Sequence, residues 1–381
     1  MMSPILPGAC LGILGGGQLG RMISIAARQL GYRVVVLAPP GDTPAASVTD
    51  HVYAASYEDE GAVRAFAAAA DVVTYEFENV PVATVATLEE RRPVRPSAAL
   101  LGITQDRLAE HALLDHEGLP HARGWAVRGE EDLRVGVAAL GFPARLKTAR
   151  GGYDGGGQWR IRDVGDLERA CAVVRERREA FRLEGEVPFD REVSVIVTRG
   201  VDGTCATFPL FENEHRDGIL WLTRCPARVS PRVEARAREV ALALAEAVAL
   251  VGTLTVECFV VGDDVLVNEL APRVHNSGHL TIEANATSQF EQHVRAVCGL
   301  PLGAVTLRRP AAMANLLGDH ARETATPRGV ETALETPEAH LHLYGKASVR
   351  PRRKMGHLTV LADTTEDAVA RARACAEAIT W

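Results

Sequence analysis

Residues 253–279 read TLTVECFVVGDDVLVNELAPRVHNSGH, and no other stretch constrains the chain as much. Two β-branched, alternating runs flank Gly262-Asp263-Asp264, the pattern of a β-hairpin. With the turn centred on Asp263, Glu257 and Glu269 fall directly opposite one another on paired strands. Cross-strand neighbours stand about 4.5–5.5 Å apart, and like charges at that spacing repel. A divalent cation between the two acids removes the repulsion. Mg²⁺ takes carboxylate and phosphate oxygens in preference to thiols or imidazoles. Two solvated carboxylates on an exposed sheet face fit the same pattern, so the rest of the chain has to decide between them.

The 381 residues suffice for two or three domains at about 150 residues each. A net charge of −7 without a basic block or tail argues against nucleic acid as the main partner, while a small phosphorylated ligand needs only a local patch. Seven cysteines are scattered without C-x-x-C spacing, which reads as reduced thiols of a cytoplasmic protein. No basic region precedes an apolar run at the N-terminus, so no signal peptide is expected. No uncharged apolar segment reaches about 18 residues, so no membrane contact is expected either. Of 42 basic residues only Lys147, Lys346 and Lys354 are lysines. A compact ammonium fits a phosphate pocket where a planar guanidinium is too wide, so each of the three is a candidate ligand contact.

Ala9–Leu14 reads as a buried strand, followed by Gly15-Gly-Gly-Gln-Leu-Gly20, a helix from Arg21 to Leu30, and a second strand from Val34 to Leu37. Gly15, Gly17 and Gly20 satisfy G-x-G-x-x-G, but the second strand ends Leu37-Ala-Pro-Pro without the acid that would bind a ribose, which argues against NAD. A strand over 71–80 delivers Glu76 to a strand-to-helix crevice, as a ligand contact or as a helix cap. Arg92-Pro-Val-Arg-Pro-Ser97 marks a boundary, and a helix from about Thr104 to Glu117 follows. Arg107 in its first turn opposes the helix dipole, a misfit that an anionic ligand would explain. Next, a strand carries Lys147 into a loop with five glycines in seven residues, 151–157. Such a loop offers backbone N–H donors to phosphates, although the lysine precedes the glycines and no Walker A order exists. Ser230 caps a long helix ahead of the hairpin. His275 and His279 stand four apart on a loop with no third soft ligand, so zinc is not expected.

Strand lysine, glycine-rich flap, acidic connector and Glu…Asn-Glu hairpin, in this order, resemble the ATP-grasp superfamily. Gly16-Gly-Gln-Leu-Gly-Arg-Met22, Gly151-Gly-Tyr-Asp-Gly155, the run from Asn268 to His279, and Arg353-Lys-Met-Gly-His357 are similar to the N5-carboxyaminoimidazole ribonucleotide synthetase family. The resemblance covers essentially the whole chain. It implies a mixed α/β and α+β fold with an N-terminal open α/β (pre-ATP-grasp) domain over residues 1–100. An ATP-grasp fold would span 101–300 with ATP between its subdomains, and a small β-rich domain 301–381.

The same resemblance implies ATP- and bicarbonate-dependent carboxylation of aminoimidazole ribonucleotide by way of carboxyphosphate. Glu257 and Glu269 would hold Mg²⁺, with Mn²⁺ as a substitute, and Asn268 would lie beside them. Arg107 and Lys147 would meet the ATP phosphates, Glu184, Gly185, Glu186 and Val187 the adenine, Glu192 the ribose, and His215 the nucleotide. The flap would contribute Tyr153, Asp154, Gly155, Gly156 and Gly157, followed by Gln158 and Trp159. Tyr153, Asp154, Arg273, His275 and Lys354 would serve catalysis. Gly17, Gln18, Leu19, Glu76 and Asn276 would bind the second nucleotide, whose phosphate would meet a basic clamp of Lys346, Arg350, Arg353 and Lys354. A homodimer, and transfer of the product to a mutase, are implied as well. Two positions depart from the family pattern: Gly156 where a basic residue is usual, and Arg352 where glycine is usual.

Overall fold

The protein is described here by a computed structural model over residues 3–152 and 156–381. Short buried strands separated by glycine turns build the first unit. These are Cys10–Leu14 (β1), the helix Gln18–Gln29 (α1), Arg33–Ala38 (β2), His51–Ala54 (β3), Glu60–Ala69 (α2), Val72–Tyr75 (β4) and Val82–Glu89 (α3). All strand pairs are parallel, in the order β3-β2-β1-β4. The strand expected over 71–80 stops at Tyr75, and the helix expected from Arg21 starts at Gln18.

The single helix expected from Thr104 to Glu117 is two helices, Ala98–Thr104 (α4) and Arg107–His116 (α5), because Asp106 caps a new N-terminus by accepting from the Leu108 N–H. The second unit contains Gly124–Val127 (β5), Glu130–Leu140 (α6), Ala144–Thr148 (β6), Gln158–Ile161 (β7), Val164–Arg177 (α7) and Phe181–Gly185 (β8). Its antiparallel sheet, in the order β5-β8-β6-β7, packs through Leu146, Ile161, Phe181 and Leu183 onto α6 and α7.

The remainder is Arg191–Arg199 (β9), Cys205–Thr207 (β10), Phe211–Arg216 (β11), Ile219–Cys225 (β12), Pro231–Ala247 (α8), Gly252–Val261 (β13), Asp264–Ala271 (β14), Thr281–Ala284 (α9) and Gln289–Cys298 (α10), then Ala311–Leu317 (β15), Val330–Leu334 (α11), Ala339–Leu343 (β16), Lys354–Leu361 (β17) and Thr365–Ala378 (α12). Its strands form one antiparallel sheet, β14-β13-β9-β11-β12-β15-β17-β16, with β10 beside β9. The chain beyond residue 300 therefore extends the hairpin's own sheet, which carries β17 toward the same region of the molecule.

Helix α8 shows why the hairpin has a dry face and a wet one. Ser230 accepts from the Val233 N–H and Pro231 sits in the first turn, so the helix starts where the sequence places it. Val233, Ala237, Val240, Ala241 and Leu244 recur at helical spacing and pack on Val256, Cys258, Val260, Val265 and Val267 of the hairpin. With those side chains committed to the core, the alternate positions of β13 and β14 face the other way.

Candidate active site

The hairpin register brings the two acids together by a route the alternation does not reveal. The turn is the two-residue Gly262-Asp263, with Val261 paired to Asp264 and Gly262 at φ +59°, rather than a turn centred on Asp263. Continued without interruption, that register would set Glu257 opposite Asn268. A β-bulge adds one residue to β14, and Glu257 pairs with Glu269 instead. Glu257, Asn268 and Glu269 all line one cavity of about 470 Å³, so the two carboxylates are on the same side of the ribbon.

Each acid is held by a basic side chain. Glu269 Oε2 accepts from Arg107 Nη2 at 3.0 Å, and Glu257 Oε1 lies 2.9 Å from His275 Nε2. Burial pushes the Glu257 carboxyl up, but His275, His215 and Arg273 together outweigh it and the net direction is down. The donors are two carboxylates and an amide with no sulfur among them, a set that fits Mg²⁺ or Mn²⁺. Arg107 completes the arrangement from the start of α5, so its misfit with the helix dipole is offset by Glu269.

Lys147, on β6, is buried and its Nζ stands 2.6 Å from Glu184 Oε2. His111 Nε2 and Arg182 Nε lie 3.1 and 3.3 Å from the other oxygen of Glu184. Burial raises the Glu184 carboxyl, yet Lys147 and His111 together hold it well below the usual carboxylate range. Gly185, Glu186 and Val187 line the cavity beside Phe189 and Phe259, whose rings stack at 4.6 Å and 8°. Gly185 and Glu186 already donate their N–H groups to Arg123 and Pro143 carbonyls. Glu192 Oε2 and His215 Nδ1 pair at 2.8 Å on the same wall.

Glu110 lies behind the hairpin acids, and no motif in the sequence points to it. It is buried, accepts from the Leu270 N–H at 3.0 Å, and thereby fixes the strand just past the bulge. Burial, reinforced by Glu269, pushes its carboxyl up to about 8. The folded chain therefore holds a proton between about 4.5 and 8 that the unfolded chain releases, and stability contributed by this group is lost as pH rises through that interval. Glu110→Gln keeps an acceptor for Leu270 and removes the titration. Thermal unfolding of the metal-free variant from pH 5 to 9 is expected to lose that part of the slope, and a wild-type slope in the variant contradicts the assignment.

From the first unit, Gly17, Gln18, Leu19 and Glu76 reach the cavity. Glu76 is also a cap: its two oxygens accept from the N–H groups of Gly17 and Gly20 at the start of α1. A Cβ on Gly17 would stand 2.6 Å from Glu76 Oε1, and one on Gly15, at φ +102°, 2.5 Å from Glu76 Cγ. The glycine pattern thus serves an internal carboxylate, and the anion position a dinucleotide would occupy is filled.

Arg273 ion-pairs with Glu78, which also lines the cavity and went unnoticed in the sequence. His275 is clamped through its backbone by Gln289, which accepts its N–H at 2.9 Å and donates to its C=O at 2.6 Å. That clamp requires Gly278, where a Cβ would meet Gln289 Cδ at 2.5 Å. Asn276 lines the cavity, is buried, and among the described residues neither of its amide atoms has a hydrogen-bond partner. Such an unpaired amide is costly unless a ligand completes it.

Several expected site residues lie elsewhere. Trp159 alternates with Gln158 on β7, so Gln158 faces the cavity while Trp159 packs on Phe181 in the core behind. The basic clamp is divided. Lys354 lines the cavity, whereas Lys346 donates to Gln18 Oε1 at 3.0 Å and to the Lys354 carbonyl at 2.5 Å. Burial and nearby Arg353 lower the Lys346 ammonium to about 8. Arg353 pairs with Asp42 at 2.7 Å and, with Arg350, Arg352, Gly156 and Gly157, lines a separate cavity of about 810 Å³. Both departures from the family pattern, Gly156 and Arg352, therefore border one space. Arg352 holds φ +68°, a conformation that favours glycine, and donates to the Asp217 carbonyl at 2.8 Å. Tyr153, Asp154 and Gly155 lie outside the described residues.

Known proteins resemble the chain along most of its length. Residues 9–105 match the ribonucleotide synthetase preATP-grasp domain, 112–290 the ATP-grasp domain, and 311–371 the phosphoribosylaminoimidazole carboxylase C-terminal domain. An N5-carboxyaminoimidazole ribonucleotide synthase of Bacillus subtilis is 43% identical over 362 residues, covering 94% of this chain and 92% of the relative. The crystal structure of an ADP complex of an N5-carboxyaminoimidazole ribonucleotide synthetase superposes with a TM-score of 0.92 at 42% identity, covering 98% of each chain. An Aspergillus clavatus synthase in complex with ADP and 5-aminoimidazole ribonucleotide gives 0.88 at 31% identity, covering 97% of this chain and 98% of that one.

Proposed function

The chain belongs to the N5-carboxyaminoimidazole ribonucleotide synthase family and is an ATP-dependent ligase of purine biosynthesis, and we propose the following division of labour for its reaction on 5-aminoimidazole ribonucleotide. The observation that carries it is the convergence of Gln18 from α1, Lys147 from β6, Glu257 and Glu269 from the hairpin, and Lys354 from β17 on one cavity.

ATP lies between the β5–β8 sheet and the long sheet. Its adenine stacks against Phe259 and meets the backbone at Val187, and its ribose meets Glu192 and His215. Lys147 and Arg107 bind the phosphates, and Glu257 and Glu269 hold a divalent cation. That cation supplies charge neutralisation at the phosphates, so positioning by the protein accounts for most of the remaining work. A bicarbonate oxygen attacks the γ-phosphorus and ADP departs. The C–O bond of carboxyphosphate then breaks to give CO₂ and phosphate, and the exocyclic nitrogen of the ribonucleotide adds to CO₂ and passes one proton to the released phosphate. Arg273, His275 and Asn276 surround the anionic intermediate, and Lys354 binds the phosphate of the acceptor nucleotide. Three functional regions, with limits near residues 100 and 300, meet at this centre. We propose further that the enzyme is a cytoplasmic homodimer whose product passes to a mutase. Among the described residues no helix is long and apolar enough to cross a membrane.

The test is ADP release measured in a coupled assay with Mg²⁺, ATP and bicarbonate, with and without 5-aminoimidazole ribonucleotide. Release that depends on this nucleotide is expected. Release driven equally by glycinamide ribonucleotide or biotin would replace the proposed acceptor with another.

A further inference from the structure

Behind the two metal-site acids runs a chain of buried hydrogen bonds whose direction is set at each step. The Ser277 N–H donates to His275 Nδ1 at 3.3 Å, which makes that nitrogen an acceptor. The Ser277 hydroxyl, 2.8 Å from the same nitrogen, must then donate to it as well. Ser277 Oγ is left to accept, and the Ser194 hydroxyl at 2.8 Å supplies the proton. Ser194 Oγ accepts in turn from Asn213 Nδ2 at 3.0 Å, and Asn213 Oδ1 accepts from the Thr223 hydroxyl at 3.0 Å. Ser194, Ser277 and Thr223 are fully buried and Asn213 nearly so, so water does not compete for these bonds. A neutral imidazole that accepts at Nδ1 carries its proton on Nε2. His275 Nε2 is the atom that stands 2.9 Å from Glu257 Oε1.

We propose that Ser277, Ser194 and Asn213 are positioning residues that hold His275 as the Nε2–H tautomer, so that it ties down one oxygen of Glu257 and leaves the other for the divalent cation. None of the three side chains lines the main cavity. They act through His275, in the way that partners behind a metal ligand orient it. The metal half of this statement rests on the role proposed above for Glu257, while the tautomer half does not.

Asn213→Asp is the discriminating variant, because it is isosteric and a carboxylate accepts only. The Ser194 hydroxyl then turns toward residue 213. The two serine oxygens, 2.8 Å apart, need the Ser277 proton between them, and Ser277 Oγ takes a hydrogen bond from His275 Nδ1–H, which displaces the long 3.3 Å contact from the Ser277 N–H. The readout is the ¹⁵N signature of His275 in metal-free protein at pH 8, assigned by its loss in His275→Asn. Wild type is expected to show protonation at Nε2 and an unprotonated Nδ1, and Asn213→Asp a protonated Nδ1. The double variant Ser194→Ala/Asn213→Asp severs the chain and is expected to restore the wild-type pattern, which a general packing defect would not do. The Mg²⁺ concentration for half-maximal ADP formation should rise about tenfold in Asn213→Asp and fall back in the double variant. An unprotonated Nδ1 in Asn213→Asp, or no restoration in the double variant, overturns the relay. A swapped tautomer with an unchanged Mg²⁺ requirement overturns its link to the metal site.

Discussion

Replacing Glu269 with glutamine is expected to lower Mg²⁺-dependent ADP formation by about 10²-fold or more. Residues one layer behind a metal ligand are worth about 10–100-fold, and a ligand itself should count for at least as much. The reason is local. Glu269 is one of two carboxylates that the bulge sets face to face, and its charge also holds Arg107. Glutamine keeps the shape and an acceptor for Arg107 but loses the negative charge that a hard cation requires. The fold should survive, because Glu269 projects into the cavity while its neighbour Leu270 stays in the core and bonded to Glu110. The initial rate over a range of Mg²⁺ concentrations measures the effect. Wild-type turnover in the variant would remove Glu269 from the metal site.

Lys354→Ala is expected to raise the KM for 5-aminoimidazole ribonucleotide by about 10–100-fold, and the KM for ATP by much less. A charge-assisted contact to phosphate is worth about 1.5–3 kcal/mol, and each 1.4 kcal/mol is a factor of ten. Lys354 begins β17, separated from β13 by four strands of the nine-stranded sheet, and enters the cavity from that side. Lys346 does not substitute for it, since its ammonium already serves Gln18 and the Lys354 carbonyl. Steady-state kinetics with each substrate varied in turn separates the two constants. Equal increases in both would place Lys354 on the ATP side.

The fold classes were legible in the sequence, and so was the gathering of many candidate residues in one place. Lys147, Glu192, Glu257, Asn268, Glu269, Arg273, His275, Asn276 and Lys354 all line the main cavity, the strand residues because the opposite face of their strands is committed to the core. What was not legible depended on small shifts or distant partners. The bulge in β14 moves the register by one residue, and a hydrophobic pattern with the same faces inside and outside the bulge does not announce it. Trp159 was misplaced because proximity to the flap outweighed the alternation of β7, a period-two signal that was available. By the same signal Phe259, two residues after Glu257, could have been placed on the cavity wall. The cap by Glu76 was among the readings of the sequence, but its pairing with α1, the division of the basic clamp and the relay from Asn213 to His275 join residues far apart in sequence, and no local pattern encodes such pairs.

The claim on which the rest stands is that both hairpin carboxylates bind one divalent cation next to the nucleotide phosphates. Mn²⁺ binding followed by electron paramagnetic resonance in the presence of ADP tests it directly, with wild type, Glu257→Gln and Glu269→Gln compared at equal nucleotide saturation. The predicted result is a nucleotide-dependent ion in wild type whose affinity falls about tenfold or more in each variant. Wild-type affinity in either variant would contradict the account.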